Sequence, residues 1–249
     1  MDRILKRVAI ALMLVALSPM THATSDQERS VQEIHFEQGR TSTVINGSIK
    51  GYHYVDYQLR AGAGQTLKAS MHGSNGANYF NIISPGAGDV AMYIGQIGSN
   101  SFEGVLPVEG VYTLRVYLMR SAARRNETSN YTLDVAVTGK PLQALPDDKD
   151  ARIPGTLYHA SATISCALPY EPDTKRCEAL VIRRGFDGTA TVEVRGTKSY
   201  LRRILFVGGK PVASDSAEPM STSRRGDVTE VSFGKDERLE IVDALITGG

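Results

Sequence analysis

The 249-residue chain has no tryptophan, two cysteines, five histidines and no excess of either charge, since 28 Lys+Arg against 27 Asp+Glu leave a formal +1. Each shortage excludes something. Two cysteines and scattered histidines cannot build a structural zinc cluster, and His35, His53, His72 and His159 lack the HxxxH or HExxH spacing of a metal site. Without a basic excess the chain lacks the electrostatic footprint of a nucleic-acid binder. Neither GxSxG nor GxxxxGK(S/T) occurs, so the usual serine-hydrolase elbow and the nucleotide-binding P-loop are absent. No catalytic residue, cofactor or metal is assigned, and the chain reads as a non-enzyme. At 41% apolar and 22% charged residues, it still has enough apolar surface to fold.

The longest apolar run is short and sits at the start. Arg3, Lys6 and Arg7 precede the ten residues Val8 to Leu17, Pro19 breaks the run, and Thr21-His22-Ala23 offers small residues where a signal peptidase reads. This three-part pattern is a secretory signal peptide over 1–23, and it is too short for a membrane span. Cleavage removes three basic residues and Asp2, moving the formal charge from +1 to −1. The exported chain is expected to carry no integral membrane segment and to reach an oxidising compartment. In that oxidising compartment Cys166 and Cys177 are expected to pair, closing a ten-residue loop worth about 2–3 kcal/mol.

Beyond the signal the chain reads as all-β: an antiparallel β-sandwich over 24–138, then a second small antiparallel β domain over 156–249. Residues 24–30 are polar and are expected to be mobile. Period-2 runs follow at 52–59, 66–71, 111–118 and 131–137, each bounded by turn residues. Residues 139–155 carry three prolines and an acidic cluster and read as a linker. Further short strands at 179–183, 190–194, 203–207, 229–233 and 239–242 are separated by Asp187-Gly188, Gly208-Gly209 and Gly226-Asp227, as in a curled meander or small barrel. The glycines of 47–51 and 62–64 are read as turns between strands rather than phosphate cradles. Arg183-Arg184, Arg202-Arg203 and Arg224-Arg225 are read as solvated strand ends, with anionic cell-wall polymers as the alternative ligand.

One segment stands out. Arg120, Arg124 and Arg125 crowd a loop between two strands, and a guanidinium is a permanent, planar fork suited to carboxylates. Three such groups on one protrusion fit an acidic cleft. A glycan-binding module is the competing reading, with Tyr52, Tyr54, Tyr57, Tyr79 and Tyr93 as a possible aromatic strip. An enzyme working through the second domain is the third, and its single histidine, His159, makes it weak.

The residues 47–54 (GSIKGYHY) followed by Tyr57, the turn Ala61-Gly62-Ala63-Gly64-Gln65, and the run 110–135 from GVYTLRV through RSAARRN to YTLDV resemble, in order and spacing, the family of periplasmic inhibitors of goose-type (g-type) lysozyme. The resemblance spans about residues 31–138. It implies an antiparallel sandwich that inserts loop residues into the lysozyme's active-site cleft and so protects peptidoglycan. The functional tyrosine of the family maps to Tyr52 and its two functional arginines to Arg120 and Arg124. Lys50 and Arg125 are placed on the same surface. Where members of the family commonly carry an acid between the two arginines, this chain has Ser121, Ala122 and Ala123.

Overall fold

The computed structural model describes residues 28–248 except Tyr170, Pro172 and Lys198, so the signal peptide expected over 1–23 lies outside the described residues. The first part of the chain forms β1 (Arg29–Glu33), β2 (Ser42–Lys50), β3 (Tyr54–Ala61), β4 (Thr66–Gly73), β5 (Asn78–Ile83), β6 (Ala91–Ile94), β7 (Ser101–Val105), β8 (Gly110–Leu118) and β9 (Thr128–Thr138). Two helical turns interrupt it, α1 (Gly95–Gly98) after β6 and α2 (Arg120–Arg124) after β8. The strands make two sheets, ordered β1-β3-β8-β5-β6 and β2-β9-β4-β7. Their alternating inward residues, among them Leu59, Phe80, Leu114, Ile49, Leu67 and Leu133, form one core. Tyr112 donates from its hydroxyl to the Val108 carbonyl at 2.7 Å, a tyrosine corner that pins the entry of β8.

The expected mobility of 24–30 fails at Arg29 and Ser30. Arg29–Glu33 is a strand, and it pairs parallel with β3, the exception to an otherwise antiparallel pairing pattern among the described strands. Arg29 is held there by an ion pair with the fully buried Asp56 at 2.8 Å. A polar sequence at a sheet edge gives no alternation to read, because little of it faces the core.

The second part forms β10 (Ala160–Ala167), β11 (Arg176–Arg183), β12 (Ala190–Arg195), β13 (Leu201–Val207), β14 (Lys210–Ser214), β15 (Met220–Arg225), β16 (Val228–Phe233) and β17 (Glu237–Val242), then α3 (Asp243–Thr247). They make one antiparallel sheet, ordered β14-β13-β12-β11-β10-β17-β16-β15, which curls into a near-barrel around Val192, Ile204, Phe206, Val231 and Ile241. Strand β10 bridges the two halves by pairing with β11 over 160–165 and with β17 at 166–167. The Cys166–Cys177 disulfide spans this crossing, with Cα atoms 5.9 Å apart.

Of the three arginine pairs, Arg224-Arg225 is an exposed strand end as expected, whereas the side chains of Arg183, Arg184, Arg202 and Arg203 are buried and not available to polymers. Arg202 is buried, makes a two-pronged contact with Glu237 at 2.6 and 2.9 Å and lies over the Phe233 ring. Arg203 is buried on the outer face and reaches Glu193 at 2.8 Å. Arg183 closes the other end of the near-barrel by donating to the Leu245 carbonyl of α3 and to Asp150. Arg224 and Arg225 are exposed but paired with Asp243 and Glu240. Each charge has a local partner, which the spacing of arginines along a sequence cannot reveal.

The outer face of β11–β13 is also buried, at Leu180, Ile182, Thr191, Glu193 and Leu205, because the first part of the chain packs there. Thr191 donates to the Pro107 carbonyl at 2.8 Å, and the Arg184 side chain, 1% exposed, donates to Thr191 and to the Leu142 carbonyl and pairs with Glu109. Residues 139–155 are tied down along the way. Leu142 N–H donates to Ala63, Leu145 N–H to Arg183, and the His159 ring bonds the Leu145 carbonyl. Gly62 and Gly64 are bare because Pro141 and Leu142 sit where a Cβ would be, at 2.4 and 2.6 Å. The Gly-rich turn is thus a seat for the connecting segment. All these contacts use one pole of the sandwich, where β3 ends and β8 begins. The opposite pole, where β2 ends and β9 begins, takes no part in them.

Arg184→Ala should leave the part-buried Leu142 carbonyl and the buried Thr191 hydroxyl short of a partner and cost about 2–3 kcal/mol. Calorimetry should show a single transition splitting into two as the halves uncouple. An unchanged single transition would contradict this account of the contact.

Candidate functional site

At the free pole, β2 and β3 are joined by a tight turn in which the His53 N–H donates to the Lys50 carbonyl at 3.1 Å. The turn needs φ = +59° at Gly51, a conformation that costs an L side chain about 1–2 kcal/mol. Lys50 ends β2 and is exposed, while Tyr52 is half-buried against the core edge. Gly47, expected in a turn, is instead inside β2, directly opposite Tyr131. A Cβ at Gly47 would fall 2.4 Å from the Tyr131 ring, whose hydroxyl meets that of Tyr57 at 2.8 Å in the core.

The arginine segment, expected as a loop, is the helical turn α2. Met119 N–H is anchored on the Ala77 carbonyl, and Ala122 and Ala123 are buried. Arg120 and Arg124, four residues apart, project from one exposed side of this turn. Ala122 and Ala123 follow from this packing, because an acid at 122 or 123 would enter the core, whereas Ser121 is exposed. Asn126, with φ = +55°, then reverses the chain into β9.

The two segments meet through main chain. Gly51 N–H donates to the Glu127 carbonyl at 2.9 Å, and a Cβ on Gly51 would meet the Asn126 side-chain oxygen at 2.7 Å. The Glu127 carboxylate accepts from Asn75 at 2.7 Å and from Arg125 at 2.5 Å, so three loops are braced at one residue. These hydrogen bonds, Asn75 first and Arg125 second, hold the Glu127 carboxyl below its ordinary range. The charged brace is therefore complete above the usual Glu pKa and is lost only as pH falls through the lowered native value.

The sequence-derived residues Lys50, Tyr52, Arg120 and Arg124 thus share one edge, whereas Arg125 is turned to Glu127. Lys50, Arg120 and Arg124 have no ion-pair partner among the described residues, in contrast to the satisfied arginines of the second part. Of the tyrosines proposed as a strip, Tyr57 and Tyr93 point into the core, and Tyr93 packs on Phe80 and Phe102. Tyr54 and Tyr79 do lie on the outer face, with Tyr117, which was not picked out. Asn75, Asn126 and Glu127 were also missed. The turn-forming Asn126 was the one legible signal, since asparagine tolerates positive φ.

No family model matches the chain. A relative from Escherichia coli (strain K12), an inhibitor of g-type lysozyme, is 30% identical over 136 residues, which is 53% of this chain and 98% of the relative. Among solved structures, a periplasmic inhibitor of g-type lysozyme from Aeromonas hydrophila, PliG, is 36% identical and covers 45% of this chain and 98% of its own, with a TM-score of 0.42. The Salmonella Typhimurium PliG is 29% identical over 43% of this chain and 97% of its own, with a TM-score of 0.36. Identity that runs through the whole length of the Escherichia coli relative, over about half of this one, makes the chain a member of the family of inhibitors of g-type lysozyme, which are not enzymes.

Proposed function

We propose that this protein inhibits g-type lysozyme in the periplasm by placing Arg120 and Arg124 in the active-site cleft, with Tyr52 and Lys50 beside them. The observation that carries the reading is the cationic edge itself: three side chains without ion-pair partners among the described residues, fixed by a brace, at the pole the second part leaves free. Glycosidases work with carboxyl groups in a cleft, so a guanidinium delivered there meets a complementary charge. Desolvated pairs of this kind couple by about 1.5–7 kcal/mol. Tyr52, half-buried and with few rotamers to freeze, supplies contact area at low entropic cost. Arg125 serves the edge through Glu127 rather than by entering the cleft. The expected signal peptide and the periplasmic relatives support the compartment.

A turbidity assay of cell-wall lysis by a g-type lysozyme tests this directly. The mature protein should stop lysis near an equimolar ratio. The Arg120→Ala/Arg124→Ala variant should need about tenfold more protein or worse, the size of one modest charge-pair coupling. Equal inhibition by the variant would refute the site assignment.

Gly51→Ala should cost about 1–2 kcal/mol from backbone strain alone. It should also weaken inhibition, because the new methyl displaces Asn126 and with it the arginine turn. A normal melting temperature with normal inhibition would contradict the role given to the turn.

A further inference from the structure

A hollow of about 200 Å³ opens on the flank beside the cationic edge, lined by Tyr52, His53, Tyr54, Asn81, Arg115 and Tyr117. It is smaller than the roughly 300–1,000 Å³ that enclose a drug-sized ligand, and its scale suits one six-membered ring. Its charge is already balanced. Arg115 is gripped by the buried Asp56 at 2.7 and 3.0 Å, pairs with Asp89 at 2.9 Å and lies 4.7 Å from the Tyr54 ring centre. The cation is fixed and neutralised, so the hollow offers no free charge for an acidic ligand.

What remains is aromatic surface and neutral hydrogen-bonding groups. Asn81 accepts from Gly95 N–H and from the Tyr117 hydroxyl with its side-chain oxygen, while its amide hydrogens have no partner among the described residues. The His53 ring has none either among the described residues. Tyrosine side chains beside an uncommitted amide donor suit a pyranose that presents C–H bonds to the rings and an acetamido carbonyl to the amide. We infer that this hollow is a binding site for an N-acetylhexosamine unit of a bacterial cell-wall glycan strand, adjoining the arginine edge and sharing Tyr52 with it. The inference goes beyond inhibition, and its first readout needs no lysozyme.

The probe is the N-acetylglucosamine tetramer, followed by tyrosine fluorescence, which no tryptophan obscures in this chain, and by the amide proton signals of Asn81. Saturable binding should appear in the millimolar range. Asn81→Ala should weaken it about fivefold, the loss expected for one hydrogen bond, and should lower the melting temperature because the Gly95 N–H and the Tyr117 hydroxyl lose their acceptor, while circular dichroism shows the fold kept. Co-sedimentation with purified peptidoglycan should fall in parallel, while Arg120→Ala/Arg124→Ala should leave both readouts intact. Absence of tetramer binding by the wild-type protein would overturn the proposal. So would an Asn81→Ala protein that binds glycan normally but inhibits lysozyme poorly, because the hollow would then hold part of the lysozyme.

Discussion

The hydrogen bond from Gly51 N–H to the Glu127 carbonyl joins two loops that lie far apart in sequence, and the candidate edge depends on it. It forms only because residue 51 lacks a side chain, which frees the positive φ and admits the Asn126 side chain at close range. From there Glu127 ties in Asn75 and Arg125, and α2 settles its two alanines into the core. The cost of ordering three loops is met within the free protein. Less flexibility then remains to be lost on association, which favours tight binding by a small cationic surface.

The molecule divides its arginines by pole. In the second part, and where it meets the first, several guanidinium groups are buried against carboxylates and carbonyls: Arg202 with Glu237, Arg203 with Glu193, Arg184 with Glu109. Buried pairs of this kind specify geometry more than they add stability, since desolvation offsets much of their attraction. At the free pole Arg120 and Arg124 are left exposed beside the braced loops. Attachment of the second part at the opposite pole preserves that exposure. An added half of this size therefore leaves the edge open.

The sequence exposed what depends on local alternation. The runs at 66–71, 111–118 and 131–137 are β4, β8 and β9, and the turn pairs at 187–188, 208–209 and 226–227 do separate strands. The disulfide was legible from two cysteines in a chain expected to be exported. The resemblance singled out Tyr52, Arg120 and Arg124 as candidates, and their segments lie at one edge. What stayed hidden depends on pairing between distant residues. Register alone places Arg115 opposite Asp56, and only packing shows that Arg183, Arg184, Arg202 and Arg203 are buried. The parallel edge strand β1 and the helical character of 120–124 were obscured for the same reason, since tertiary contacts rather than propensity decide short segments.

The central claim is that recognition uses the pole bearing residues 50–53 and 119–127, while the second part stays outside the contact. Hydrogen–deuterium exchange on the mature protein, alone and saturated with a g-type lysozyme, measures this most directly. The account predicts new protection at 50–53 and 119–127 and unchanged exchange across 156–248. Protection that instead falls on the near-barrel, with the Gly51 and Arg120 segments exchanging as in the free protein, would contradict it.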